Sequence, residues 1–356
     1  MLWDIFCKVI DNHGDIGVCW RLSCDLANKG QQVRLWVDDA TALGWMAPLG
    51  HPAVQVLAWG SQPAGWEPGD VVIEAFGCEL DPAVQEAIAR CALRLDRAIA
   101  WINLEYLSAE PFAMRCHRLA SPVMAGPAAG LTKHFFYPGF TPGTGGLLRE
   151  GDLMQRQQRF DASAWLRERG IATDDDVLRV SLFCYEPPAL RQLLARWAAG
   201  AQRVALLVTA GRAAAAVDAA LAGMGATGPL SIHRLALMSQ PEYDHLLWAC
   251  DLNFVRGEDS LVRALWSGKP LVWQIYPQHD GAHQAKLDAF LGWLKAPASL
   301  REFHIAWNDA AQSLPPASPA QWSDCAHQAR LNLLSQDDLS SQLLGFAAGL
   351  LTKDKA

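Results

Sequence analysis

Two aspartates stand four residues apart in DNHGDIGVCWR, Asp11 to Arg21, between a strand-like run and a helix-like run. A carboxylate accepts the forked N–H groups of a guanidinium in two parallel bonds, so an acidic pair at the end of a strand suits a cationic ligand. Two other readings compete. Gly14 and Gly17 match part of the dinucleotide fingerprint G-x-G-x-x-G, and Asp38 or Asp39 follows at the distance of a ribose-binding acid. That fingerprint is incomplete, however, and two carboxylates in the turn would repel a pyrophosphate. The plainer reading has Asp11 end the strand and Asp15 cap the helix.

A second constellation is NFVRGEDSLVRALWSGKPLVWQIYPQ, Asn253 to Gln278. A strand reaches Val255, RGEDS turns, and a helix begins near Asp259 or Ser260 and stops at Gly268. Backbone N–H groups and the positive end of the helix dipole at Ser260 make an anion site, and Arg256 adds charge. Glu258 is poorly placed against phosphate but suited to accept ribose hydroxyls or to orient Arg256. An ordinary capped helix is the alternative. In SLFCYEPP, Ser181 to Pro188, Phe183 and Tyr185 alternate with Cys184 and share one face, where they could flank a base or sugar. Core packing competes with that role, more for Phe183 than for Tyr185.

Other patterns carry less. His279 and His283 lack the Glu of H-E-x-x-H and have a glycine between them, which argues against zinc. TPGTGG lacks the Lys-Ser/Thr of a Walker loop. Nine cysteines are scattered without a C-x-x-C pair, as expected of reduced thiols in a cytoplasmic protein. The formal net charge of −7 with no basic block argues against nucleic acid as partner. No signal peptide or membrane span is visible, because Asp4 and Lys8 interrupt the first apolar run.

The elements that must position these residues follow from periodicity. The 356 residues, 51% hydrophobic and 19% charged, fit two domains with large cores. LWDIFCKVI reads as a strand, and Val18, Leu22 and Leu26 mark a helix that stops at Gly30. VRLWVDD, DVVIEAF and AIAWINLEYL read as further strands, and DPAVQEAIARCAL as a helix with Asp81 as cap and Pro82 at its first position. YPGFTPGTGG, Tyr137 to Gly146, breaks the pattern, and a polar stretch from Arg149 to Asp176 marks the end of a domain. Five more strands follow in VLRVSLFCYE, RVALLVTAG, LSIHRLAL, DLNFVRG and PLVWQIYPQ. The expected fold is α/β: two doubly wound Rossmann-like domains facing across a cleft, with ligands beyond the carboxyl ends of the strands. The domains expected are 1–150 and 151–356, the last helix being able to pack back on the first.

WDIFCKVIDNHGDIGVCWRL, VRLWVDD, FFYPGFT, TGGLLRE and FVRGEDSLVRALWSGKP with its following YPQ together resemble the bacterial protein-arginine rhamnosyltransferase family that modifies translation elongation factor P. The resemblance spans nearly the whole chain. It implies a GT-B fold, an inverting and metal-independent glycosyl transfer, dTDP-β-L-rhamnose as donor, no cofactor, and one arginine of the elongation factor as acceptor, a modification that relieves ribosome stalling at polyproline. Carried over by position, Asp11 and Asp15 fall at the acceptor side as catalytic acids, with Glu258 the next carboxylate. Asn12, Gly14, Phe183, Tyr185, Phe254, Arg256, Asp259, Ser260, Tyr276 and Gln278 fall in the donor-binding motifs. Asp15 is the first choice of base, although a helix amino terminus weakens a carboxylate as base. His13 and His279 are given no role. The competing functions are a GT-B enzyme using another nucleotide sugar on a small molecule, a non-catalytic protein that captures a nucleotide or an arginine loop, and, more distantly, a nicotinamide dehydrogenase.

Overall fold

A computed structural model describes residues 1–9, 13–94, 97–276, 281–309 and 313–353. Asp11, Asn12, Gln278 and His279 therefore lie outside the described residues. The chain divides into two compact units, Met1–Gly151 with Ser335–Ala356, and Asp152–Leu334.

In the first unit the strands are β1 Leu2–Cys7, β2 Gln32–Val37, β3 Val54–Ala58, β4 Val71–Ala75, β5 Ala100–Leu104, β6 Ala120–Pro122 and β7 Thr132–Phe136. Among the described residues they form one sheet in the order β3-β2-β1-β4-β5-β7-β6, parallel except where β6 meets β7. Alternation along the strands builds two cores. Ile5, Ile73 and Ile102 point to the face covered by helices Gly14–Asn28 and Leu339–Lys353, which supply Leu22, Leu26, Leu343 and Ala347. Phe6, Val72 and Trp101 point to the other face, covered by Val84 and Ile88 of helix Pro82–Ala89. The last helix of the chain thus belongs to the core of the first unit. A buried network pins the amino end of the sheet: Asp4 accepts from Arg34 Nε and Nη2, both at 2.6 Å, from Trp36 Nε1 at 2.7 Å and from the Gly69 N–H at 2.6 Å.

The second unit holds β8 Val177–Leu182, β9 Arg203–Val208, β10 Leu230–Arg234, β11 Leu252–Arg256 and β12 Leu271–Gln274, all parallel in the order β10-β9-β8-β11-β12. These are the five strand candidates of the second half. One face packs Val177, Ala205 and Leu207 against Leu246 and Trp165. On the other side Phe254 is enclosed by Trp307, Phe303 and Trp197 at 4.6, 6.0 and 6.4 Å between ring centres. Helix Asp259–Ser267 ends at Gly268, whose φ of +70° is the left-handed conformation that lets the chain leave the helix without a Cβ clash.

Several local expectations change. β1 ends at Cys7, and the next helix begins at Gly14, a turn earlier than Val18, the first residue of its apolar stripe in the sequence. The cap position of that helix is His13, and Asp15 lies within its first turn. Asp81 does hold the cap position before Pro82, but its carboxylate accepts from Trp59 Nε1 at 2.6 Å and makes no side-chain cap bond. All nine cysteines are free thiols.

Candidate active site

Both sheets carry the 3-2-1-4-5 strand order of doubly wound folds, in which the chain reverses its winding direction between strands 1 and 4 and leaves a crevice at their carboxyl ends. In the first unit that point lies between β1 and β4, and in the second between β8 and β11. Of the described candidate residues, Gly14 and Asp15 follow β1, Phe183 and Tyr185 follow β8, Phe254 to Ser260 lie at the end of β11, and Tyr276 follows β12.

In the first unit helix Gly14–Asn28 is the next element after β1. Gly14 is exposed, and Asp15 is half-buried in the first helical turn, where the helix dipole favours its negative charge. Beneath it Cys19, one turn on, is fully buried. Burial, a hydrogen bond with Cys7 and the charge of Asp15 together push the Cys19 thiol well above its ordinary value, so it stays neutral. After β4, Phe76 takes φ +58°, costly for a bulky side chain. Its N–H donates to Leu104 O at 2.7 Å, and its ring stacks on Tyr106 at 5.0 Å. Periodicity gives no sign of this conformation.

In the second unit Phe183 and Tyr185 follow β8, and Arg256 closes β11. The Arg256 guanidinium carbon lies 4.4 Å from the Phe183 ring centre and 4.6 Å from that of Tyr185, with Nη1 donating to Cys184 O at 3.0 Å. Among the described residues no carboxylate pairs with it. Burial pulls its pKa down, the mark of a cation held without full compensation. Tyr185 is the more buried of the two aromatics and Phe183 is half-buried, the reverse of the sequence expectation. Burial raises the Tyr185 phenol, which stays protonated.

The supports of this arrangement are specific. The Ser260 hydroxyl accepts from the Arg256 N–H at 3.1 Å and donates back to Arg256 O. Ser260 thus acts on Arg256 through the backbone. Gly257, at φ +64°, makes the bend that follows, and its carbonyl accepts from Trp273 Nε1 at 2.7 Å. Gln274, buried at the end of β12, accepts the Tyr185 N–H at 2.8 Å. Glu258 is ion-paired with Lys286 Nζ at 2.6 Å. Asp259 is half-buried in the first turn of its helix, and Tyr276 is exposed, its ring edge-on to Tyr185 at 5.5 Å.

Phe254 needs correcting. Its side chain is wholly buried in the aromatic core and cannot touch a ligand; its carbonyl accepts the Phe183 N–H at 3.0 Å and so helps set that ring. Gln274, Lys286 and Arg212, whose guanidinium carbon lies 4.9 Å from the Tyr185 ring centre, went unnoticed in the sequence. Arg212 opens a helix just after β9, a position the strand-end rule could have flagged. Among the described residues no three His, Cys, Asp or Glu side chains converge as a metal site, and no helix is long and apolar enough to cross a membrane.

The sequence model of a family described as "Elongation-Factor P (EF-P) rhamnosyltransferase EarP" matches residues 3–348. The protein-arginine rhamnosyltransferase of Pseudomonas aeruginosa is 44% identical over 333 residues, covering 86% of this chain and 86% of its own. That of Pseudomonas putida is 43% identical, covering 97% of this chain and 98% of its own. A solved structure that explains EarP-mediated arginine glycosylation of EF-P superposes with a TM-score of 0.66 at 31% identity, over 98% of this chain and 99% of the other. The spinosyn rhamnosyltransferase SpnG shares the fold, with a TM-score of 0.54 at 13% identity over 98% of this chain and all of its own. The architecture is the two-domain GT-B fold of glycosyltransferases.

Proposed function

The chain belongs to the elongation factor P rhamnosyltransferase family, and from that premise we propose that it moves L-rhamnose from dTDP-β-L-rhamnose to an arginine of translation elongation factor P, with inversion and without a metal. The observation that carries the donor half is Arg256, a guanidinium stacked between Phe183 and Tyr185 with no carboxylate partner among the described residues. A cation so held gains most from an anion, and the diphosphate of a nucleotide sugar supplies one.

The acceptor half rests on Asp15, with Asp11 beside it in sequence. Arginine is a reluctant nucleophile. With a pKa of at least about 12.5, its free deprotonation near neutrality costs roughly 7 kcal/mol or more. A carboxylate in the first turn of a helix is too weak a base to remove that proton in advance. The step is therefore concerted. The carboxylates grip the guanidinium, a nitrogen attacks the anomeric carbon from the face opposite the diphosphate, and one carboxylate takes the proton as the N–C bond forms and the C–O bond to dTDP breaks. Asp15 is the base in this scheme. Arg256, with the N–H groups opening helix Asp259–Ser267, stabilises charge growing on the departing diphosphate, the part a metal plays elsewhere. The Ser260 hydroxyl fixes the Arg256 backbone, and Gln274 fixes that of Tyr185.

The test is the stereochemistry and identity of the product. Wild-type protein, dTDP-β-L-rhamnose and elongation factor P are incubated, and the anomeric coupling of the product is read by NMR. An α-linked rhamnosyl-arginine is expected. Retention of the β configuration would overturn the single-displacement scheme, and release of free rhamnose with unmodified factor would overturn the acceptor.

A further inference from the structure

Arg256 is one of two guanidinium groups gathered on Tyr185. The carbons of Arg212 and Arg256 lie 4.9 and 4.6 Å from the same ring centre, so the two are at most 9.5 Å apart. Topology explains the convergence. β8 is the central strand, with β9 on one side and β11 on the other. Tyr185 follows β8, Arg256 closes β11, and Arg212 opens the helix that follows β9 after Gly211. Three neighbouring strands therefore deliver an aromatic ring and two cations to one carboxyl-terminal edge.

The two arginines are not equally engaged. Arg256 is half-buried and has its bond to Cys184 O. Arg212 is ion-paired through Nε and Nη2 to Glu186, the residue next to Tyr185, and both side chains are open to solvent, at 46% and 59% exposure. Exposed pairs of this kind contribute little to stability, so little is lost when one opens. Arg212 also lowers the pKa of Arg256 by repulsion, a penalty that an anion lying against both would remove. A diphosphate carries more negative charge than one guanidinium neutralises.

We propose that Arg212 is a second diphosphate-binding residue, held by Glu186 in the empty protein and released from it to the donor's phosphates on binding. The inference rests on the nucleotide-diphosphate reading of the Arg256 site and adds a cation to it. When the donor's C–O bond breaks, the leaving dTDP gains a negative charge, and Arg212 with Arg256 stabilises it there, so Arg212 acts on the transition state as well as on binding. The alternative is that Arg212 merely covers Tyr185 and pairs with Glu186 on the surface.

Calorimetry on the full-length protein separates these. dTDP and thymidine are titrated into the wild type, Arg212→Gln and Glu186→Gln. Thymidine has the base and sugar but no phosphate. Arg212→Gln should weaken dTDP about tenfold or more, the size of a lost charge-assisted contact, and leave thymidine unchanged. Glu186→Gln, which frees Arg212, should bind dTDP as tightly as the wild type or more tightly. If Arg212→Gln binds dTDP like the wild type, or loses thymidine and dTDP equally, Arg212 only packs on Tyr185 and the proposal falls. Wild-type protein that ignores dTDP altogether would bring down the nucleotide reading itself, and Arg212's role with it.

Discussion

Replacing Arg256 by Met should separate binding from folding. Methionine matches the length of the arginine stem and keeps apolar contact with Phe183 and Tyr185, but removes the charge and the donors. On the binding side the loss is large. A hydrogen bond to a charged group contributes about 1.5–3 kcal/mol, and the stack on Phe183 and Tyr185 exists without ligand and adds nothing to binding, so a loss of about 1.5–3 kcal/mol in dTDP affinity is expected, roughly 10- to 150-fold. On the folding side the terms oppose each other. Met forfeits the bond to Cys184 O at 3.0 Å and the charge stacked on Phe183 and Tyr185, but relieves the burial of a cation without a carboxylate partner among the described residues. The net change in unfolding free energy should stay within about 1 kcal/mol. Because the lowered pKa is that of a cation, the penalty is constant at every pH below its folded-state value and is relieved only in strong alkali, so the comparison can be made at neutral pH. The assay is a pair of measurements, calorimetric titration with dTDP and urea unfolding without it. Affinity within threefold of wild type would refute the anion role. A loss of several kcal/mol in stability would mean Arg256 is chiefly structural.

Other perturbations have equally definite outcomes. Asp15→Asn should leave dTDP binding and folding intact and cut transfer by about a hundredfold or more, the size of a general base, as read by initial rates of factor modification; Asp11→Asn should also be severe, and wild-type rates in both would move the base elsewhere, with Glu258 the next carboxylate to test. Turnover should survive EDTA, since in the proposed mechanism Arg256 and the helix amino terminus take the part of a cation; activity lost to the chelator and restored by magnesium or manganese would contradict this. Arg263→Ala should lower stability by about 1.5–3 kcal/mol in urea unfolding, because it takes from buried Asp244 two charged hydrogen bonds of 2.8 and 2.7 Å, while Arg156 Nη1 stays 3.6 Å from the same carboxylate. His304 is fully buried, accepts the Trp273 N–H at 3.0 Å, and has its pKa lowered by burial from 6.5 to about 4. Its folded state resists the proton that the unfolded chain takes up, so its contribution is full above pH 6.5 and is lost as pH falls toward 4. Unfolding at pH 7 and pH 5 should differ by about 2 kcal/mol from this group, and His304→Gln should flatten that slope.

How much of this was legible in the sequence depends on the kind of signal. β4, β5 and β9 announce themselves by largely apolar runs, because burial on both faces of a parallel sheet dictates composition directly; the edge strand β10 shows only the alternation of Leu230 and Ile232, and helix Asp259–Ser267 is marked by its stop at Gly268. β3 and β6 did not, since they lie toward the sheet edges and expose much of their length. The Arg256 turn was readable because a strand end, a glycine and a helix start are local events. Its partners were not. Gln274 reaches Tyr185 across 89 positions and Arg212 meets Glu186 across 26, and no local pattern specifies which side chains distant strands bring together. Phe254 shows the opposite failure: it lies in the right motif, yet strand alternation turns its ring into the core and gives the site only its carbonyl.

The central claim, rhamnose transfer to one arginine of a protein, is tested most directly by intact-mass spectrometry. Wild-type protein is incubated with elongation factor P and dTDP-β-L-rhamnose, alongside the factor with its acceptor arginine changed to lysine. One added deoxyhexose is expected on the native factor, on a single arginine by fragmentation, and none on the lysine form. An unmodified native factor after complete incubation with active donor, or equal modification of both forms, would contradict it.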